Sequence, residues 1–445
     1  MQIAPSGNYR WRIVTLLFIA TTINYIDRQV LSFTMTDELF RKDMLGLGPA
    51  DALTPEAIDR FKVDYGEVDA AFKLAYALGF LFIGWLIDKI GTKRGFSLGI
   101  LIWSVAGVAT SFVGSMTTLK MARALLGFGE SANFPSAVKT VAEWFPRRER
   151  SFASGLFNAG TNVGIILTAL LVPYLITHYG WRSSFFITGI LGFGLFVFWW
   201  FTYSSPRTNR KVSHDELAYI QSDSGDTTAL KVSWGKLLGF KQTWAFAIGK
   251  FLSDPIWWFY MSWLPDFFNS NEALDRKLDL KSFGIPFLII YVVSDAGSVF
   301  FGWLTTQLMH RGWSANRARK TTMLICALCV VPIFTAAQTS SLTIAIGLIS
   351  LATAAHQGWS ANMYTFASDL FPRSAVASVT GIGGMFGAVG GILLAYWSGR
   401  IITNFGYLPL FVIASCSYLL ALAIIHLILP KLEPVPAEEI EEVRV

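Results

Sequence analysis

The sequence predicts an all-α integral membrane protein, with twelve transmembrane helices arranged as two pseudosymmetric bundles of six. Three observations predict it. Of 445 residues, 53% are hydrophobic and only 15% charged, where a soluble domain carries roughly a quarter. Apolar runs of membrane-spanning length recur along the whole chain. Short motifs of the first half return, in order, in the second. The same composition excludes disorder, because the chain is too apolar, and nucleic-acid binding, because it lacks a basic face.

Apolar stretches of about 20 residues mark spans. They fall at 11–35, 66–87, 95–116, 121–143, 152–176, 184–203, 242–268, 285–308, 321–338, 342–367, 375–399 and 406–429. The first is not a cleavable leader. Its apolar stretch runs into Asn24-Tyr25-Ile26-Asp27-Arg28, and no small-x-small cleavage site follows. The longest polar break contains Ser213-His214-Asp215-Glu216, a capping-box pattern that predicts a short surface helix through Tyr219 and Ile220. The chain therefore divides into an N-terminal bundle (1–204), a linker (205–241), a C-terminal bundle (242–430) and a charged tail (431–445). Cys326, Cys329 and Cys416 lie inside apolar runs, and their odd number argues against a disulfide scaffold.

Basic residues settle the expected orientation. The termini and the loops after even-numbered spans hold most Lys and Arg residues outside the spans, among them Lys89, Lys93, Arg94, Arg147, Arg148 and Arg150. The positive-inside rule then places both termini in the cytoplasm.

The halves echo one another. Phe145-Pro146-Arg147 recurs as Phe371-Pro372-Arg373, and at the same offset Gly155 matches Gly381, Thr177 matches Thr403, Gly180 matches Gly406 and Phe185 matches Phe411. Gly84-Trp85-Leu86 recurs as Gly302-Trp303-Leu304. Each match alone is weak, but several at one offset are not chance. Parallel six-helix repeats imply a substrate site between two bundles near mid-membrane.

The loop after the second span reads Gly84-Trp-Leu-Ile-Asp88-Lys89-Ile-Gly91-Thr-Lys93-Arg94. It resembles the signature loop of the major facilitator superfamily, whose fold the twelve spans then imply. The resemblance makes Asp88, with Arg94, a gate on the cytoplasmic side. Arg123, Gly127, Gly129, Glu130, Asn133 and Pro135 of span four, with Asn24-Tyr25-Ile-Asp27-Arg28 of span one, resemble the anion:cation symporter family. Lys250-Phe-Leu-Ser-Asp254-Pro255-Ile-Trp257, His356-Gln357 and Ser368-Asp369 resemble its hexuronate-transporter branch. The likeness covers essentially the whole chain. One departure stands out: some sugar-acid relatives place an amide on span eleven, where this chain has Gly383-Gly384, so no substrate contact carries over from there.

The charges agree with that likeness. A charged side chain at the bilayer centre costs about 2.5–3.5 kcal/mol on the insertion scale, and such residues mark substrate or proton paths. Asp27, Arg28, Arg123, Glu130, Lys250, Asp254 and Asp295 would be a heavy load otherwise. Guanidinium grips a carboxylate bidentately, which suits Arg28 as the anchor of an anionic substrate, with Lys250 a further deep cation. Arg123 and Glu130 share one helix face, two turns apart. Asp27 and Glu130 are the candidate proton carriers, and a nearby arginine (Arg28 or Arg123) sets whether the proton stays. Tyr25, Tyr76, Asn158, Thr161, His356 and Gln357 are candidate partners for sugar hydroxyls. His356 reads equally well as a satisfied interior histidine. The aromatic run Trp257–Tyr260 reads mainly as packing, and Pro255 as a break in span seven.

The expected activity is proton-coupled symport of a hexuronate such as glucuronate or galacturonate into the cytoplasm by a monomer in the inner (cell) membrane. Other readings stay open: another organic anion (an aldonate, or a dicarboxylate held by Arg28 and Lys250 together), Na⁺ coupling, or a non-transporting sensor. An enzyme is not expected, since the sequence carries no metal-ligand cluster, no phosphate loop and no nucleophile elbow. No cofactor, metal or nucleic-acid partner is expected.

Overall fold

A computed structural model describes residues 7–222, 234–371 and 373–435. The side chains of 81, 84, 88, 147, 148, 151, 234, 367, 368, 373, 374 and 377 are likewise outside the description. The described residues are helical nearly throughout. The N-terminal series is α1 (Tyr9–Thr34), α2 (Glu38–Leu45), α3 (Pro55–Ile90), α4 (Thr92–Thr110), α5 (Met116–Glu130), α6 (Asn133–Trp144), α7 (Arg147–Tyr179) and α8 (Trp181–Thr202). Two short helices, α9 (His214–Gln221) and α10 (Trp234–Leu237), lie between the series. The second series is α11 (Lys241–Ser270), α12 (Gly284–His310), α13 (Ala315–Val330) with a 3₁₀ continuation Val331–Ala337, α14 (Leu342–Leu370), α15 (Arg373–Phe405) and α16 (Leu408–Ile428).

Each of the twelve expected spans coincides with a helix or a helix pair. Seven helices among the described residues are long and apolar enough to cross a membrane on length and composition. Of the others, α1 and α11 carry buried charges, which lower their mean hydropathy, and α5 is only 15 residues long.

The breaks follow the prolines. Span four is two helices, α5 and α6, interrupted at Ser131-Ala132. Pro135 explains this: it has no N–H for the Ser131 carbonyl, and its ring crowds that carbonyl. In the same way Pro332 tightens the end of α13 into the 3₁₀ turn. Pro255 behaves otherwise. The helix α11 continues through it, although the sequence reads as a break there. The Phe251 carbonyl it leaves unbonded faces Gly390 of α15, where a Cβ would lie 2.5 Å from that oxygen, so backbone packing accommodates the fault.

Compact packing divides the chain into two units, Met1–Ala57 with Ala71–Thr227 and Ile58–Ala70 with Thr228–Val445. In the first unit α1 packs on α7, and α4 on α5 and α8. In the second, α11 packs on α15, α12 on α14, and α13 on α16. The pairing α1 with α7 is thus repeated as α11 with α15. The repeat extends to atoms. Gly164 approaches the Thr22 carbonyl so closely that a Cβ would lie 2.6 Å from its oxygen, as Gly390 does with Phe251. Gly180 and Gly406 both have positive φ, 81° and 71°, at the turns into α8 and α16.

The helix α9 begins as expected, with the Ser213 hydroxyl accepting from the Glu216 N–H at 3.1 Å. It is not a free surface helix, however. Glu216 is almost fully buried, and its carboxylate accepts from the Arg10 backbone N–H (3.1 Å) and guanidinium (3.4 Å). Arg10 Nε also donates to Glu149 at 2.8 Å, and the Tyr219 hydroxyl donates to Glu149 at 2.7 Å. Glu216 thus ties the helix to α1 and, through Arg10 and Glu149, to α7.

In the second unit the residues after α16 form a strap. Leu432 N–H donates to Asn316 Oδ1, the Glu433 carbonyl accepts from Gln242 Nε2, and Val435 N–H donates to the Leu370 carbonyl. The remainder of the tail reading, 436–445, lies outside the described residues, as do 223–233 of the linker.

Candidate functional site

In the first unit the membrane-embedded charges converge. The helix α1 presents Asn24, Asp27 and Arg28, and α5 presents Arg123 and Glu130 from one face. Arg28 Nε donates to Glu130 Oε2 at 2.8 Å. Glu130 is fully buried, and its second oxygen has no hydrogen-bond partner. The Arg28 guanidinium lies 4.7 Å from the ring centres of both Tyr25 and Tyr76 and 5.4 Å from Phe72. Such contacts stabilise a cation by about 0.5–1 kcal/mol each where exposed and by about 2 kcal/mol or more where desolvated. Its Nη2 has no acceptor.

Arg123 does a different job. It donates to the main-chain carbonyls of Asp27 (3.4 Å) and Arg28 (3.0 Å) and lies 4.9 Å from the Phe72 ring. It therefore fixes the backbone of α1 at the two residues that carry the acid and the cation. Neither Asp27 oxygen accepts a hydrogen bond, and the carboxyl is buried at 3% exposure. Asn24 has neither amide atom partnered and Asn133 lacks a partner for its oxygen. Buried polar groups are ordinarily satisfied. Here several unsatisfied atoms belong to the same helices as one ion pair, or to the start of the next.

In the second unit, Lys250 Nζ pairs with Asp254 Oδ2 at 2.8 Å, one turn along α11. It also approaches the Tyr364 hydroxyl at 3.4 Å and lies 4.6 Å from that ring's centre. His356 stacks flat on Trp257 (5.0 Å, 8°), and its Nδ1 lies 2.6 Å from the Tyr418 hydroxyl. His356 is thus positioned by an aromatic face and a phenol. In the aromatic run, Phe259 packs on Tyr260 and Phe411, as a packing role requires.

Among the other expected site residues, Asn158 is exposed, and Thr161 and Gln357 are half-buried. The side chain of none of the three makes a hydrogen bond among the described residues. Arg94 is exposed. The side chain of Asp88 lies outside the described residues. Phe72 and Tyr364, both in contact with a buried cation, escape a reading from sequence, because one aromatic among many in an apolar helix carries no signal. No group of three or more His, Cys, Asp or Glu side chains suited to a metal ion occurs among the described residues.

The profile of the Major Facilitator Superfamily matches residues 17–395. The chain belongs to the Major Facilitator Superfamily. Superfamily membership makes it a multi-pass membrane transporter rather than an enzyme. The chain is 28% identical over 429 residues to the hexuronate transporter of Escherichia coli (strain K12), covering 94% of each. It is 26% identical over 424 residues to the D-galactonate transporter of Escherichia coli O6:H1, covering 93% of this chain and 94% of the relative. The fold matches a crystal structure of a bacterial homologue of the human lysosomal transporter Spinster, in an inward-facing and occupied conformation. That match has a TM-score of 0.72 at 17% identity, over 97% of this chain and 100% of that one.

Proposed function

We propose that the protein carries a hexuronate such as glucuronate or galacturonate, together with a proton, into the cytoplasm across the inner membrane. It does so as a monomer with both termini cytoplasmic. The observation that carries this reading is the Arg28 guanidinium: 12% exposed, flanked by two tyrosine rings, paired with a single carboxylate oxygen, with one nitrogen unpartnered. A neutral sugar would have no use for that cation. Similarity to transporters of hexuronate and galactonate supports the choice of a sugar acid.

In this scheme Glu130 stands in for the substrate. Protonation of Glu130 removes the charge that holds Arg28, and the substrate carboxylate takes its place in a bidentate pair. Asp27 takes a second proton-handling role, and Arg123 holds the α1 backbone so that acid and cation keep their register. Lys250 is the second cation. Asn158, Thr161, His356 and Gln357 receive hydroxyls, and Asp88 with Arg94 gates the cytoplasmic side. Coupling follows because substrate and proton act on the same ion pair, so each changes the affinity for the other.

The test is uptake of labelled glucuronate into proteoliposomes under an inward proton gradient without Na⁺, beside Glu130→Gln. Accumulation that collapses with a protonophore and is lost in the variant is the expected result. Accumulation that follows Na⁺ instead, or that persists in the variant, refutes the coupling scheme. Preferential uptake of galactonate or galactarate in a competition panel moves the substrate to an aldonate or an aldarate.

A further inference from the structure

The second unit repeats the logic of the first with different residues. A buried cation, Lys250, is held by one carboxylate, Asp254. An ammonium has three N–H donors. Among the described residues Asp254 and Tyr364 take two of them. The two ends of the pair differ in access: the Lys250 side chain is 6% exposed and that of Asp254 is 18%. The carboxylate therefore sits on the open side of the pair and the cation on the closed side.

The facing helix α15 is cut to fit this pair. Gly383 lies against the Lys250 stem, where a Cβ would meet Lys250 Cγ at 3.3 Å as well as the Phe246 ring. Gly387 lies against the Asp254 carboxylate, which a Cβ would overlap. An amide or any larger side chain at either position would push the pair out of register. The glycine at 383 thus acquires a physical reason, since the Phe246 ring and the Lys250 stem fill the space a side chain would take, whereas a Cβ at Gly384 would meet nothing within 4 Å.

From this geometry we infer that Asp254 is a built-in competitor for Lys250, displaced by an anionic group of the substrate. The carboxylate on Lys250 is then a specificity-determining element of transport: it keeps the cation neutralised when the site is empty and yields it to an anion. This inference rests on the reading of the protein as an organic-anion carrier. It concerns a group on which the proton scheme for Glu130 does not depend. Removing one member of a buried pair leaves the other uncompensated. A variant lacking the Asp254 charge should therefore hold anions more tightly and release them more slowly.

The experiment is equilibrium binding of D-glucuronate, D-galactonate and D-galactarate to the purified full-length protein, with initial uptake rates in proteoliposomes. The variants are Asp254→Asn, Asp254→Glu, Lys250→Gln and the double variant Lys250→Gln/Asp254→Asn. Asp254→Asn should lower the dissociation constant on the order of tenfold while reducing turnover. Asp254→Glu, which can rebuild the pair, should return both towards wild type. Lys250→Gln should weaken binding, and adding Asp254→Asn to it should give no tightening. Wild-type or weaker affinity in a folded Asp254→Asn variant overturns the inference and leaves the transport reading intact. So does wild-type affinity in the charge-neutral double variant, which serves if the single variant fails to fold. If no anion of the panel binds the wild-type protein, the sugar-acid reading falls, and this inference with it.

Discussion

Glu130→Gln offers a measurement of the Arg28 ion pair that is independent of transport. The substitution removes a charge from a fully buried carboxyl whose oxygen lies 2.8 Å from Arg28 Nε. Breaking a buried pair by deleting one partner costs about 3–5 kcal/mol. The glutamine carbonyl can still accept from the guanidinium, and a hydrogen bond to a charged group is worth about 1.5–3 kcal/mol. The expected net loss is therefore about 2 kcal/mol. For a unit of roughly 200 residues, 1 kcal/mol shifts the melting temperature by about 2–4 °C, so the variant should melt about 4–8 °C below wild type. Saturating glucuronate should then recover most of that loss, because its carboxylate neutralises the uncompensated guanidinium. The assay is thermal unfolding of the detergent-solubilised protein with and without glucuronate. An equal ligand-induced shift in variant and wild type would show that the substrate does not take the place of Glu130, and the exchange scheme would fail.

Three further outcomes follow from the same contacts. Asp27→Asn removes a buried charge with no hydrogen bond to lose, so melting should be unchanged or raised, while proton-driven accumulation is lost and substrate exchange across the membrane survives. Tyr76→Leu removes one of the two rings nearest Arg28. A loss of about 1 kcal/mol, within the range for such contacts, should weaken glucuronate binding about fivefold in a titration. Glu216→Ala leaves the Arg10 backbone N–H without its acceptor. It should raise amide hydrogen exchange across 214–221, and protection equal to wild type would show that α9 is held by its apolar contacts instead.

The sequence discloses the members of the site more readily than their pairings. Asp27, Arg28, Glu130 and Lys250 are conspicuous because a charge inside an apolar run is costly and needs a reason. That Glu130 meets Arg28 while Arg123 serves the α1 backbone depends on how α1 and α5 pack, and no spacing within one helix encodes it. The Lys250–Asp254 pair is different: a separation of four residues on one helix is a contact legible from spacing alone. Prolines were legible in part. Pro135 and Pro332 both disturb their spans, whereas Pro255 does not, because Gly390 of another helix comes close enough to cover the fault. Ser213-His-Asp-Glu announced the start of α9 correctly. Its burial was hidden, since nothing local shows that Glu216 will answer Arg10, 206 residues away.

The strap formed by Leu432, Glu433 and Val435 bears on how the protein is handled at the bench. It hydrogen-bonds Asn316 beside the start of α13, Gln242 at the start of α11 and the last residue of α14. A purification tag or fluorescent reporter joined beyond residue 436 leaves these bonds in place. One joined directly after Leu429 removes the cap on the last carbonyl of α14 and the side-chain ties to α11 and α13 at once, and would report the behaviour of a loosened bundle rather than that of the transporter.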